Sequence, residues 1–128
     1  MAKHNETGTI GEDKASEYLQ QQGYTIVERN WRTKNGKLEI DIIAEKGEDM
    51  AVVEVKCRTS LQWGDPATFV SSRKIENLAQ ATNEYLQTHN IEEKCLRFDI
   101  IAIVMDKDNH VQQLEHMENA FTPKPKYY

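Results

Sequence analysis

The chain has 128 residues, of which 29% are charged and 38% hydrophobic, and its formal net charge is −5. This size suits one domain around one core, and the balance excludes both a disordered chain and a membrane-embedded one. No apolar run approaches the roughly 20 residues that a membrane helix needs, and the first residues carry no apolar secretory segment, so a cytoplasmic protein without a membrane partner is expected.

In chain order, residues 9–22 read as a helix: Thr9 can cap it, Gly11, Ala15, Tyr18 and Leu19 form an apolar stripe, and Gly23 ends it. A strand begins at Tyr24 and runs toward Trp31, and Asn35-Gly36 marks a turn. Lys37 to Ala44 and Met50 to Cys57 read as two strands joined through Gly47. Residues 60–69, with Gly64-Asp65-Pro66, read as a loop. Residues 72–88 form the clearest helix, with Ile75, Leu78, Ala79, Thr82 and Leu86 on one face. Leu96 to Met105 is a strong strand and Val111 to Met117 a weaker one. This order predicts an α/β fold with helices packed on one mixed five-stranded sheet. It occupies a single domain over residues 1–120, followed by an irregular tail over 121–128.

The chemistry concentrates on the central hairpin. Side chains alternate along a strand, so Leu38, Ile40 and Ile42 are expected on one face and Glu39 and Asp41 on the other; likewise Val53, Val55 and Cys57 oppose Glu54 and Lys56. A two-residue turn at Gly47-Glu48 sets Asp41 opposite Glu54 and Glu39 opposite Lys56, all four on one face, with facing Cβ atoms about 5 Å apart. Two carboxylates that close repel unless a cation joins them. Mg²⁺ prefers one or two carboxylates plus waters, and a neighbouring ammonium can orient a nucleophile or steady developing charge. Alternating charge on a half-exposed hairpin is also ordinary surface, and Glu39 with Lys56 could be a simple cross-strand pair.

The segment Glu39-Ile40-Asp41-Ile42-Ile43-Ala44, followed by Val53-Glu54-Val55-Lys56-Cys57-Arg58, resembles the core motif of PD-(D/E)xK nucleases. More closely, the chain resembles the YraN-like family of uncharacterised predicted endonucleases, itself similar to archaeal Holliday-junction resolvases. Matching blocks include Gly11-Glu12, Arg29-Asn30-Trp31-Arg32, the hairpin, Gly64, Pro66, Lys74 and Arg97-Phe98-Asp99. The resemblance implies a three-layer α/β/α restriction endonuclease-like core. It implies metal ligands at Asp41 and Glu54, with the Val55 carbonyl and Glu12 as further candidates, and Lys56 as the catalytic lysine beside Glu39. The cofactor would be Mg²⁺, with Mn²⁺ as a substitute. Ile40 stands where the motif often has proline, and Leu38 where this family commonly has glycine.

The remaining candidates have two readings each. Thr9 and Glu12 fit a helix capping box as well as a site role. Arg73 and Lys74 open the second helix, where phosphate is favoured but where a solvated helix start is equally ordinary. Arg29, Arg32, Lys34 and Arg58 can contact backbone phosphates or simply carry surface charge; Trp31 reads as core, and Trp63 as a loop anchor or a substrate contact. Asp99 is placed to orient a basic neighbour. Residues 24–74 sum to +1 and the rest to −6, so the acidic total does not exclude DNA. Cys57 and Cys95 lack zinc spacing and are expected as reduced, buried thiols. The expectation is thus a Mg²⁺-dependent endonuclease acting on DNA, including branched DNA, for which a homodimer would supply two active sites. The alternatives are a nucleic-acid-binding module on the same fold with little or no catalysis and, more weakly, a protein-binding domain.

Overall fold

The computed structural model describes residues 3–59 (the first five as backbone alone), 71–89 and 95–121. The elements are α1 (Lys3–Gln21), β1 (Thr25–Arg32), β2 (Glu39–Lys46), β3 (Asp49–Arg58), α2 (Ser72–Thr88), β4 (Cys95–Met105) and β5 (Val111–Phe121). The strands form one open sheet in the order β1-β2-β3-β4-β5. Only β3 and β4 run parallel, with α2 lying between them in sequence; the other neighbours are antiparallel.

The sheet is covered on both faces. On one, Ala15 and Leu19 of α1 pack with Tyr24, Ile42, Ala44, Ala51, Val53, Ile101, Ile103 and Met105. On the other, Leu78, Ala81 and Tyr85 of α2 pack with Ile40, Ile43, Met50, Val52 and Phe98. The unbroken buried run Met50–Val53 in β3 follows from this, because a strand sandwiched between helices hides both of its faces. The α/β class and the mixed five-stranded sheet are as read from the sequence, with helices in layers above and below.

Several boundaries differ. The first helix starts at Lys3 rather than near Thr9, so Thr9 lies inside it and the capping-box reading of Glu12 fails. The buried face of α2 is Leu78, Ala81, Thr82 and Tyr85, rotated from the expected stripe because Tyr85 fills the space under Trp31, with ring centroids 5.2 Å apart. The last strand runs on to Phe121, which stacks on Phe98 at 5.4 Å, so the tail begins one residue later than expected. Cys95 is exposed and Cys57 only partly buried, where both were expected to be buried, and both are free. The expected loop over 60–69, with Trp63, and the tail beyond Phe121 lie outside the described residues. Among the described residues, no helix is long and apolar enough to cross a membrane.

Candidate functional site

The β2–β3 hairpin has the register expected from its turn. Lys46 pairs with Asp49, Glu45 with Met50, Ala44 with Ala51, Ile43 with Val52 and Ile42 with Val53. There the ladder stops. The Val55 amide instead donates to Asp41 Oδ2 at 2.9 Å, so a carboxylate takes up a backbone donor where the two strands part.

The parting coincides with a change of face. Ile42 packs under α1, whereas Ile40 packs under α2; in a regular pleat the two would share a face. The neighbouring strand does the same. Arg29 reaches Asp13 of α1 at 2.8 Å, while Trp31 packs on Tyr85 of α2. Between them Asn30 adopts φ 54, a left-handed conformation that asparagine tolerates better than most residues. Asp41 lies across from Asn30, between the pairs Arg29↔Ile42 and Trp31↔Ile40. It therefore sits at a seam within reach of both helical layers.

The expected placement of four charges on one face is corrected by this seam. Glu54 and Lys56 do share the α2 side, with Lys56 Nζ 3.5 Å from Glu54 Oε2. Glu39 does not lie opposite Lys56; it is the β1 partner of Arg32 and pairs with that guanidinium at 3.4 Å. In its place Lys74, from the first turn of α2, brings a second ammonium to Glu54 Oε2, also at 3.5 Å. Glu54 is 3% exposed, and its other oxygen, Oε1, is buried without a hydrogen-bond partner.

The acidic groups feel one another. Burial, and then the Glu54 carboxylate, push Asp41 up to about 7, against the opposing pull of the Val55 amide and Lys74. Glu12 is also raised, by burial first and by Asp41 next, while a hydrogen bond from the Asn30 side chain and the charge of Arg29 work the other way. Glu12 thus approaches the Asp41 seam from α1 and is held there by Asn30, a residue to which the sequence pattern assigned no role. No strand pattern signals a left-handed residue, so only the asparagine itself hinted at it.

The other basic candidates scatter. Arg29 is engaged by Asp13 and, at 3.8 Å, by Glu12. The Arg32 guanidinium also donates to the Gly36 carbonyl. Lys34 is exposed, and its amide donates to Glu84 at 2.6 Å. Arg58 donates to the Cys57 carbonyl. Arg73 is exposed beside Lys74. Of the six residues expected at nucleic acid, Lys74 is the one that pairs with Glu54, while Arg29 and Arg32 pair with Glu12 and Glu39.

The donor set fits a hard divalent cation. Two carboxylates interact in a buried setting, one with an orphaned oxygen, and among the described residues the Val55 amide and two ammonium groups offset their charge. Among the described residues, the one trio of ligand atoms all within 4.8 Å of one another is Asp106, Asp108 and His110. It lies in the exposed β4–β5 turn, where the Asp108 and His110 amides donate to Asp106 and account for its shape. Glu12, Asp41 and Glu54 do not form so tight a trio.

A second polar cluster lies outside this site. Asp99, fully buried, accepts from Arg97 at 2.9 and 3.0 Å, from His116 at 2.7 Å and from the Asn119 amide at 3.0 Å. Arg97 also donates to Tyr24, and His116 meets the Tyr18 hydroxyl at 3.1 Å. The basic neighbour expected for Asp99 is therefore Arg97. His116 was not foreseen, because its approach depends on the pairing of β5.

The comparisons with known proteins agree on a family. A family model described as an uncharacterised protein family, UPF0102, matches residues 11–103. The chain belongs to the UPF0102 family. It is 44% identical to a UPF0102 protein of Flavobacterium psychrophilum over 94% of this chain and 98% of that one. A UPF0102 protein of Phocaeicola vulgatus is 41% identical over 96% and 98%, and one of Bacteroides thetaiotaomicron 37% over the same shares. The match takes in α1 from Gly11 onward, the hairpin, α2 and most of β4.

Proposed function

We propose that this UPF0102 protein is a divalent-metal-dependent endonuclease that hydrolyses DNA phosphodiester bonds, with branched DNA among its substrates. The observation that carries the reading is the buried Glu54, whose charge acts on Asp41, with one oxygen unpartnered and the other shared by Lys56 and Lys74. An orphaned buried oxygen costs about 1–3 kcal/mol or more when charged, a cost that an ion or its bound water would relieve.

Asp41 and Glu54 would hold the ion, with the Val55 carbonyl beside them and Glu12 approaching from α1. A bound Mg²⁺ or Mn²⁺ would polarise a phosphate oxygen and acidify water. Asp41 keeps the Val55 amide in place and so fixes the start of the parted strand against the site. Lys56, held by Glu54, orients the attacking water and offsets the charge that develops on the phosphate. Glu39 acts through Arg32, whose exposed guanidinium can meet a flanking phosphate. Paired cuts across a junction would require two protomers.

Incubation with linear, flapped and four-way DNA in Mg²⁺ or Mn²⁺ tests the reading. Cleavage that Glu54→Ala and Lys56→Ala abolish supports it. No cleavage of any substrate, or cleavage equal in the variants, overturns it; salt-sensitive DNA binding without cleavage would instead favour a binding module on this fold.

A further inference from the structure

Lys56 and Lys74 both lie 3.5 Å from the same oxygen of Glu54. One carboxylate offsets one ammonium in full, so the second is held only in part. If a divalent cation takes a share of Glu54, three positive groups compete for one acid, and the ammonium with the easiest way out leaves. That group is Lys74. Its side chain is 37% exposed against 21% for Lys56, and it extends from a helix end rather than from a central strand.

Lys74 also needs an anion wherever it goes. It stands in the first turn of α2, which holds no acidic residue, while Ser71 caps the helix by accepting from the Lys74 amide at 3.1 Å. A cation there is opposed by the positive end of the helix dipole, and a phosphate is the anion that such an end favours. The helix start alone would mean little. What adds to it is that Lys74 is paired with the buried Glu54, whose unpartnered Oε1 is open to a cation.

We propose that Lys74 is a metal-released phosphate clamp: paired with Glu54 in the metal-free protein, it turns to a phosphate of the DNA once Glu54 is shared with a divalent cation. The inference rests on the metal-site reading above and adds to it a coupling between ion and nucleic acid. By linkage, each ligand must tighten the other by the same factor.

The test uses the full chain, with Lys74→Met and Lys74→Arg. Calorimetry with Mn²⁺ alone should show Lys74→Met binding the ion about fivefold more tightly than wild type, since a competing ammonium is gone. Anisotropy of a fluorescent DNA duplex, read in the first seconds after mixing, should show Lys74→Met about twofold weaker than wild type in EDTA, the partly held ammonium being lost. With Mn²⁺ the wild type should gain about tenfold or more, Lys74→Met less than about a third of that gain, and Lys74→Arg most of it. Weaker Mn²⁺ binding by Lys74→Met would make Lys74 a mere support for Glu54 and overturn the clamp. So would a loss of DNA affinity that is equal with and without the ion, or an undiminished gain. A wild-type chain that binds no Mn²⁺ overturns the metal site itself, and the clamp with it.

Discussion

Asp41 carries opposing demands. One of its oxygens is spent on the Val55 amide, and its charge is disfavoured by burial and by Glu54. At the proposed metal site the second carboxylate is a liability without the ion, and a bound cation would relieve it. Asp41→Asn keeps an oxygen for the Val55 amide and removes the repulsion. Its metal-free melting temperature at pH 8 is expected to rise by several degrees, since ~1 kcal/mol is worth about 4 °C in a domain of this size. Saturating Mn²⁺, which should stabilise the wild type by about 2–3 kcal/mol at a hundredfold excess over Kd, should add nothing to the variant. Thermal melts with and without Mn²⁺ check both halves; a destabilised variant that still responds to the ion would remove Asp41 from the site. Lys56 makes a different demand. Lys56→Met should leave the Mn²⁺ response intact while cleavage falls by about a hundredfold or more, as single-turnover rates would show.

Elements bring these residues together, and α1 does so by close approach. Gly11 lies where an added Cβ would stand 3.1 Å from Cys57 Sγ and 3.2 Å from Cys57 Cβ. This is tighter than ordinary contact, so an added methyl fits only if Cys57 or the helix gives by a few tenths of an ångström. Gly11→Ala gains about 1 kcal/mol of helix propensity but forces α1 off β3, at a cost of about 1–3 kcal/mol, and displaces Glu12 with it. The variant is expected to be less stable in urea, and Cys57→Ala should recover part of the loss, since the sulfur goes and the Cβ remains. A Gly11→Ala chain more stable than wild type would show that the helix shifts freely. The same level explains what was legible beforehand. The hairpin register could be read because a two-residue turn and alternating hydrophobicity both demand it. The face change at Asn30 and Asp41 could not, because the alternation argument assumes an unbroken pleat. It therefore put Ile40 with Ile42 and Glu39 with Lys56, both wrongly. The start of α1 was missed because Thr9 and Glu12 imitate a cap, and Lys74 could be placed only by resemblance, since its approach to Glu54 depends on how α2 returns across the sheet.

At the scale of the molecule, the fold is fastened on the side of α1 by the Asp99 cluster. Arg97 and Asp99 come from β4, Tyr18 from α1, Tyr24 from the turn into β1, and His116 and Asn119 from β5. Arg97 also reaches Asp49 at the start of β3 at 3.2 Å. One buried carboxylate thus ties together segments that are far apart in sequence, and the edge strand β5 depends on it. Burial alone would raise the Asp99 carboxyl, but the hydrogen bonds from His116, Arg97 and the Asn119 amide outweigh it and hold the group below the usual carboxylate range. The sign follows from linkage: an acid depressed in the folded state gives its stability above the unfolded pKa, and that stability is lost as pH falls through the folded value. Asp99→Asn removes the buried charge and leaves the partly buried Arg97 with Asp49 as its remaining anionic partner, so at pH 7 it should cost about 1–3 kcal/mol. The deficit should begin to shrink as pH falls below about 4, where the carboxyl of the unfolded chain takes up its proton, and go on shrinking until the folded carboxyl is protonated too. Urea denaturation of both proteins at pH 7 and at successively lower pH measures the two trends together. A deficit that stays constant down to pH 3 would mean that Asp99 fastens the strands by shape and hydrogen bonds alone, and that its charge contributes nothing to the hold on β5.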